Sequence, residues 1–357
     1  MSDTAETSSP AAVGSSPAAP RALLVGAGGM GKTWGKNVKG HPELAMLAGW
    51  VDLRDGAAAA AADELELTGV VTGTDFAKLL ADVRPDFVID VTIPEAHHDV
   101  TVAALAAGVP VLGEKPMAHT MEAAREMIAA SERSGKLYMV SQSRRYDGRL
   151  RAFREQIAAN LGAVGILNAD FYIGAHFGGF RDEMDSVLLL DMAIHSFDQA
   201  RYLLGDADPV SVYCEEFNPS WSWYKGDASA TALFEMANGV RFTYRGSWCA
   251  EGLSSSWECD WRAVGSNGTA KWDGNGAPVV QTVLGPNGFM SKMNDVATAE
   301  LPQNVPGGIA GSLLDFVNAL KTGATPMGEC HDNIKSLAMV FAAIESAKTG
   351  QRVPIVI

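Results

Sequence analysis

The sequence predicts two domains, a doubly wound α/β domain on a parallel sheet and then an α+β domain with an open antiparallel sheet. The chain has 357 residues, enough for two hydrophobic cores. Up to about residue 142, apolar strand candidates alternate with helical stretches, the pattern of a parallel sheet covered on both faces. From about residue 163, strand candidates follow one another across short turns, which favours antiparallel pairing.

The first domain is predicted to span residues 21–142. Its strand candidates are Ala22–Val25, Ala45–Val51, Phe87–Val91, Val109–Leu112 and Leu137–Ser141. Helical stretches between them include Ala57–Ala62 and Met121–Ser134. Residues 1–20 are rich in Ala, Ser and Pro and lack the basic and apolar regions of a secretory signal, so we expect a disordered tail there.

The second domain is predicted to span residues 143–357. Its strand candidates are Ile166–Tyr172, Val210–Glu216, Ala228–Met236, Val240–Trp248, Glu258–Val264 and Thr269–Trp272. The dipeptides Asn238-Gly239 and Asn267-Gly268 are hairpin signals between them. Helices are predicted at Leu188–Leu204, Gly311–Lys321 and Asp332–Lys348, and the last two can pack back on the first domain.

Composition excludes several classes of function. A net charge of −14 and a pI near 4.9 argue against a general binder of nucleic acid or anionic membranes. The sequence contains no run of 18 apolar residues that would span a membrane. The four cysteines lack metal-ligand spacing, so we expect free thiols, no metal site and a cytoplasmic location.

The glycine-rich turn after the first strand candidate is the strongest functional motif. Gly26, Gly28 and Gly31 form a G-x-G-x-x-G pattern, with Gly29 and Met30 inside it. The three glycines permit a tight turn, close approach of a pyrophosphate and close packing of the following helix, whose N-terminus attracts the phosphates. The motif alone could be only a turn, but its position between strand and helix favours dinucleotide binding.

The choice of dinucleotide depends on the end of the second strand candidate. Asp52 stands where a carboxylate hydrogen-bonds the adenosine ribose, and it would repel the 2′-phosphate of NADP. Arg54 could accommodate that phosphate instead. We therefore expect NAD, with NADP as the alternative.

Two further clusters carry candidate catalytic groups. Glu114-Lys115-Pro116 follows a strand, at the sheet edge where ligands bind, and a lysine beside a positive nicotinamide suits proton transfer. Pro116 restricts the backbone there and its peptide bond can be cis. Asp191 and His195 are spaced to share one face of a buried helix. The alternatives are a surface lysine and a satisfied core Asp–His pair.

Taken in order, these motifs resemble the Gfo/Idh/MocA oxidoreductase family. The resemblance rests on the glycine motif, on Thr92-Ile93-Pro94 with His98, on Glu114-Lys115-Pro116, and on Asp191 with His195. It implies a Rossmann domain that binds NAD or NADP, with Thr92, Pro94 and Glu114 lining the cofactor and Ile93 and His98 also among its cofactor-binding residues. It also implies that Lys115 and His195 handle protons, that Asp191 orients substrate, and that the second domain's sheet forms a homo-oligomer interface, as a dimer or tetramer.

One segment departs from the family pattern and bears on the substrate. Where the family often has a glycine triplet, this chain has Met184-Asp185-Ser186-Val187, preceded by a loop from His176 to Arg181. We place Arg145 and Arg181 near substrate, where they could clamp an anionic group, together with Tyr146 and His176. The many tryptophans of the second domain suit either sugar faces or an oligomer interface.

Three functions compete. The first is an NAD-dependent oxidoreductase acting on a secondary hydroxyl of a sugar or cyclitol. The second is a redox-neutral NAD-dependent glycosidase that oxidises a sugar transiently, eliminates the aglycone, adds water and reduces the product, with an anionic sugar such as a sulfoquinovoside as a compatible substrate. The third is a non-enzymatic NAD-binding sensor. Net NADH formation separates the first from the second, and intact Lys115 and His195 argue against the third.

Overall fold

The computed structural model describes residues 18–285, 289–298, 301 and 305–357. Residues 1–17 of the expected disordered tail therefore lie outside the described residues. Within these ranges the chain forms two sheets, each with helices packed against it. The Lys115–Pro116 peptide bond is cis.

The first sheet is parallel, as predicted. Its strands are β1 (Arg21–Val25), β2 (Met46–Val51), β3 (Val71–Gly73), β4 (Phe87–Asp90), β5 (Val111–Gly113) and β6 (Tyr138–Val140). They lie in the order β3-β2-β1-β4-β5-β6, so the direction of winding reverses between β1 and β4. In such doubly wound sheets the crevice at this reversal is where ligands bind.

Helices cover both faces of this sheet. They are α1 (Gly29–Gly40), α2 (Ala57–Glu64), α3 (Phe76–Val83), α4 (Pro94–Ala106) and α5 (Met121–Ser134). β4 is buried at every position because both its faces are covered. Asp75 and Thr120 cap α3 and α5 through their side chains.

The second sheet is larger and mixed. Its strands are β7 (Val164–Tyr172), β8 (Pro209–Phe217), β9 (Ser229–Met236), β10 (Arg241–Ser247), β11 (Asp260–Gly265), β12 (Gly268–Trp272), β13 (Val279–Gly285), β14 (Lys292–Val296) and β15 (Val353–Pro354). They run in the order β14-β13-β12-β11-β7-β10-β9-β8-β15. Each pair is antiparallel except β7 with β10, so the predicted antiparallel sheet is confirmed, with one parallel pair that the sequence did not indicate.

The helices of the second domain pack on one face of that sheet and on the first domain. They are α6 (Gly148–Asn160), α7 (Ile194–Leu203), α8 (Gly308–Thr322) and α9 (Cys330–Thr349). The predicted helix Leu188–Leu204 divides into a π-helical segment, Leu188–Ala193, followed by α7. Such π-segments are rare and occur often at functional sites.

α8 belongs structurally to the first domain. Leu313, Phe316 and Val317 are buried in the same apolar cluster as Trp34 and Phe87. The rings of Phe87 and Phe316 lie 5.3 Å apart between centroids. The chain therefore returns near its end to complete the core under the first sheet.

Candidate active site

The glycine turn has the shape that a pyrophosphate requires. Gly26 has a φ of +103°, and a Cβ there would lie 2.7 Å from the carbonyl oxygen of Val91. A Cβ on Gly31 would collide with the carbonyl group of Gly26, whereas Gly28 and Gly29 face open space. α1 starts at Gly29 without a side-chain cap, which leaves its first N–H groups free to bind phosphate. Met30, in the same turn, is partly exposed.

Asp52 follows β2 and lies beside the glycine turn. Its Oδ2 accepts a 2.7 Å hydrogen bond from the backbone N–H of Ala27. The backbone and guanidinium of Arg54 donate three more bonds, each 2.9 Å long. These bonds, led by the Arg54 side chain, lower the pKa of Asp52 to about 2, so the carboxylate is charged at neutral pH. A carboxylate has about four acceptor positions, as many as these hydrogen bonds use, and the Arg54 side chain that donates two of them is exposed.

The turn after β4 brings Thr92 and Pro94 to the same edge of the sheet. The Thr92 hydroxyl donates a 2.7 Å bond to Asp90 Oδ1, while Ile93 is exposed and Pro94 opens α4. The prediction for His98 does not fit the structure, because its ring pairs with acidic side chains on the surface of α4 and α5. The neighbouring His97 points inward instead.

His97 belongs to a buried polar network beneath this edge. Its Nδ1 lies 3.0 Å from Asp90 Oδ2, and both side chains are almost fully buried. Burial lowers the pKa of His97, but the Asp90 carboxylate outweighs burial and the pKa is raised. Glu114 accepts a 2.7 Å bond from the Trp34 indole, and its own pKa is raised by burial. The network fixes the strand ends that carry Thr92 and Lys115.

Lys115 reaches from the end of β5 to the π-helical segment of the second domain. Its Nζ donates to the carbonyl oxygen of Asp191 at 2.9 Å and lies 3.3 Å from Asp191 Oδ1. Arg181 donates to the other oxygen of Asp191 at 2.7 Å. Burial alone would raise the pKa of Asp191, but Lys115 and Arg181 outweigh it and lower the pKa. Asp191 is thus held as a carboxylate between two cations.

His195 lies beside this triad without a hydrogen bond to Asp191. Burial, followed by the positive charges of Arg144 and Lys115, holds its pKa well below the usual range for histidine. Its Nδ1 is buried and has no hydrogen-bond partner in the described part of the chain. Such a nitrogen costs free energy unless a bound molecule pairs with it. The geometry therefore provides a neutral imidazole that can accept a proton.

The neutral state of His195 can be measured directly. We expect its ring to stay uncharged from pH 8 down to below the ordinary histidine pKa of about 6.5, because a lowered pKa delays protonation on acidification. NMR titration of histidine-labelled protein checks this, with the signal assigned by its loss in His195→Gln. His331 is the internal control, since Glu329 and Glu132 raise its pKa. A His195 midpoint at or above 6.5 would contradict the expectation.

Arg144 and Arg145 follow β6, and one lies near the catalytic groups while the other lies in the core. Arg145 is buried and makes two 2.7 Å bonds to Asp198, so the prediction that it clamps a substrate anion is wrong. Arg144 is the one near His195, and it also lies 3.5 Å from Glu258. The two follow each other in a 3-10 turn, where neighbouring side chains point about 120° apart. Burial raises the pKa of Glu258.

Two other predicted substrate residues lie further from the catalytic groups. Tyr146 is buried, and its hydroxyl donates a 2.7 Å bond to Asp315 in α8, which is a structural role and not a substrate contact. His176 is exposed, stacks on Trp223 at 3.7 Å and contacts Glu251 at 3.0 Å. It therefore lies in the predicted substrate loop without touching Lys115, Asp191 or His195.

One cluster of possible metal ligands is present among the described residues. Glu329, Cys330 and His331 converge at the start of α9. Glu329 caps this helix by accepting from the backbone N–H of His331, and burial raises the pKa of the Cys330 thiol. A protonated thiol is a poor metal ligand, so the capping role explains the cluster. The cysteines are free, and no described helix is long and apolar enough to cross a membrane.

A dinucleotide crevice next to a Lys–Asp–His cluster defines a nicotinamide-dependent oxidoreductase. Comparison with known families agrees, since "Oxidoreductase family, NAD-binding Rossmann fold" matches residues 21–142. "Oxidoreductase family, C-terminal alpha/beta domain" matches residues 176–355. The chain belongs to the Gfo/Idh/MocA family, which confirms the resemblance in its motifs and makes it an NAD(P)-binding enzyme.

Individual relatives span nearly the whole chain. The uncharacterized protein y4oX of Sinorhizobium fredii (strain NBRC 101917 / NGR234) is 30% identical, over 94% of this chain and 95% of its own. The D-apiose dehydrogenase of Rhizobium rhizogenes (strain K84 / ATCC BAA-868) is 27% identical, over 86% and 92%. A crystal structure of an Agrobacterium radiobacter oxidoreductase with NAD+, L-tartaric acid and magnesium shares the fold, with a TM-score of 0.79, 23% identity and coverage of 94% and 98%.

Proposed function

We propose that this enzyme oxidises a secondary hydroxyl of a sugar or cyclitol with NAD. The observation that carries the proposal is the Lys115–Asp191 pair, with Nζ 2.9 Å from the Asp191 carbonyl and a neutral His195 beside it. This cluster lies at the carboxyl edge of β5, two strands from the glycine turn after β1. The sugar-acting name of the D-apiose dehydrogenase supports the substrate class.

Each residue of the cluster has a separate task in this proposal. NAD, when bound, accepts the hydride that leaves the hydroxyl-bearing carbon. His195 takes the hydroxyl proton, since its neutral imidazole is a base. Lys115 contacts the same hydroxyl and relays this proton: it gives one of its own protons to His195 and takes the hydroxyl proton in its place, so the lysine ends as an ammonium group and His195 as an imidazolium. The Asp191 carboxylate holds Lys115 and receives a hydrogen bond from the substrate. Aligning these groups costs little reorganisation because Arg181 already fixes Asp191.

We further propose that NAD is preferred to NADP because of Asp52. For Asp52→Ala we expect the KM for NAD to rise about tenfold or more, since charge-assisted hydrogen bonds contribute about 1.5–3 kcal/mol. The preference for NAD over NADP, measured as the ratio of kcat/KM values, should fall with it. Arg54→Ala is the matched variant, and it should weaken NADP use while sparing NAD. An unchanged ratio in Asp52→Ala would overturn the assignment.

A redox-neutral NAD-dependent glycosidase is the second candidate. The observation that favours it is Glu258, a carboxyl group with a raised pKa, as a general acid for a leaving aglycone requires. Glu258 lies 3.5 Å from Arg144, the arginine whose charge acts on His195. An anionic sugar such as a sulfoquinovoside would have to displace Asp191 from Arg181, because that arginine is already paired. Aglycone release from aryl glycosides without net NADH would favour this candidate.

We also propose that the enzyme is a cytoplasmic homo-oligomer, a dimer or a tetramer. The outer face of the second sheet supports this, since no described helix packs on Ile166, Leu233 or Val279, which point away from the covered face. The face also carries ion pairs such as Arg245 with Asp170. The free, buried cysteines suit a reducing compartment.

One experiment tests the main proposal. The purified protein is denatured and the released nucleotide identified, and the native protein is then assayed for NADH formation with sugars and cyclitols. In parallel, aryl glycosides are assayed for aglycone release. NADH formation with a polyol supports the oxidoreductase, and the absence of both products in protein that binds NAD would reject both candidates.

A further inference from the structure

We propose that the active site has a second subsite, which binds a flat apolar group attached to the sugar that is oxidised. The subsite is formed by Phe177, Phe180 and Trp257, called here the aromatic rim. It deepens the proposed function and rests on it, because it assumes that the reacting part of the ligand is a sugar. The expected ligand is a glycoside with an aromatic aglycone.

The rings of the aromatic rim are exposed, and two of them pack on a buried aromatic ring. Phe177 is 46% exposed, Trp257 49% and Phe180 64%. Phe177 packs on the buried ring of Trp248 at 4.7 Å, and Trp257 meets Trp248 edge-on at 6.2 Å. Single exposed apolar side chains are common, but adjoining exposed rings on a rigid aromatic base indicate a surface that something covers.

The rim contacts the two arginines that border the catalytic cluster. The guanidinium of Arg181 lies 5.0 Å from the centre of the Phe177 ring and 4.7 Å from that of Phe180, and it donates to Asp191 at 2.7 Å. On the other side, Arg144 donates to the backbone carbonyl of Trp257 and lies beside His195. A molecule on the rim would therefore continue into the site of proton transfer.

The two halves of the site require two different chemical groups. Lys115, Asp191 and His195 suit hydroxyl groups, whereas the rim offers ring faces without an exposed hydrogen-bonding group of their own beyond the Trp257 indole N–H. Cationic Arg181 and Arg144 border the rim, so a π-electron face is favoured there over a second cation. An aryl group linked to the sugar satisfies both halves.

The experiment compares matched methyl and phenyl glycosides of glucose, galactose, mannose and xylose. Binding to the full-length enzyme is measured by calorimetry in excess NADH, which cannot accept a hydride from the glycoside and so prevents its oxidation during the titration. We expect the phenyl member of the best-bound pair to bind about three- to tenfold more tightly, which is the range expected for an aromatic pair. In Phe177→Ala this ratio should fall towards one, while the methyl glycoside keeps its affinity.

Phe217→Ala is the matched control, because Phe217 is 50% exposed at the end of β8, outside the rim, and should leave the ratio unchanged. Phe180→Ala provides a second rim variant if Phe177→Ala does not fold. Equal binding of both members, no glycoside binding at all, or a ratio that survives both rim substitutions would overturn the proposal. The proposal would also be overturned if the rim variants changed in oligomeric mass while the ratio of phenyl to methyl affinity stayed the same. The rim would then be a contact with a second copy of the chain.

Failure of the rim and failure of the proposed function give different results. Tight phenyl-glycoside binding without NADH from any polyol would retain the rim and reject the oxidation. NADH formation with equal binding of methyl and phenyl glycosides would retain the oxidation and reject the rim.

Discussion

Replacing Lys115 by methionine is expected to lower kcat by about two to four orders of magnitude, the usual contribution of a positioned acid–base group. The ammonium group is the part of the cluster that joins the end of β5 to Asp191, with contacts of 2.9 and 3.3 Å. Methionine has a similar length but neither charge nor proton. NAD affinity should change little, because the glycine turn and Asp52 are untouched. Steady-state kinetics and calorimetry with NAD measure the two effects.

Lys115→Arg separates proton transfer from charge. An arginine keeps the positive charge next to Asp191 but does not lose a proton in proteins. We therefore expect kcat to fall in Lys115→Arg nearly as far as in Lys115→Met, while the KM for the substrate stays close to that of the unmodified enzyme. Lys39→Met is the matched control, since Lys39 contacts Leu65 and Glu66 at the surface of the first domain. High activity in Lys115→Arg would show that Lys115 acts only through its charge.

Gly31→Ala is expected to raise the Kd for NAD at least tenfold and to lower the free energy of unfolding by about 1–3 kcal/mol. The added Cβ would collide with the carbonyl carbon and oxygen of Gly26, which are backbone atoms of the same tight turn. The turn must therefore open, which displaces the N–H groups at the start of α1. Calorimetry with NAD and urea unfolding measure the two quantities.

Gly40→Ala is the matched control for this substitution. Gly40 is the last residue of the same helix, and a Cβ there meets no atom within 4 Å. We expect unchanged NAD affinity and equal or higher stability, because alanine favours the helix more than glycine does. If Gly31→Ala bound NAD as tightly as Gly40→Ala, the close packing of strand and helix would not be needed for cofactor binding.

The sequence was sufficient for the parts of the site that depend on local backbone chemistry. The glycine turn could be predicted because Gly26 and Gly31 each occupy a place where a Cβ does not fit. Lys115, Asp191 and His195 could be predicted because they follow a buried strand or lie on a buried helix. Whether they meet was a question of tertiary structure, and the sequence alone could not answer it.

Neighbouring residues of the same type were harder to assign. His97 and His98 are adjacent in α4, and only the position of Asp90 beneath the helix shows that His97 points inward. Arg144 and Arg145 differ in the same way, because Asp198 lies on the core side of the 3-10 turn. Charge and spacing do not distinguish such pairs, since the partner carboxylates are distant in sequence.

The missed strands are short or lie towards the sheet edges. β3 has three residues at the edge of the first sheet, and β14 is almost fully exposed, so neither shows a clear apolar pattern. The parallel pairing of β7 with β10 joins segments that are distant in sequence. Hairpin signals predict only the pairing of consecutive strands, so no local sequence motif indicates that β7 pairs with β10.

The return of α8 to the first sheet has a consequence for synthesis on the ribosome. Trp34 and Phe87 are made early, but Leu313, Phe316 and Val317, which complete their cluster, are made near the end. The first domain therefore cannot finish its core until α8 has been made, after most of the second domain. A nascent chain that stops before α8 leaves an apolar surface on the cofactor domain, where α8 would otherwise pack.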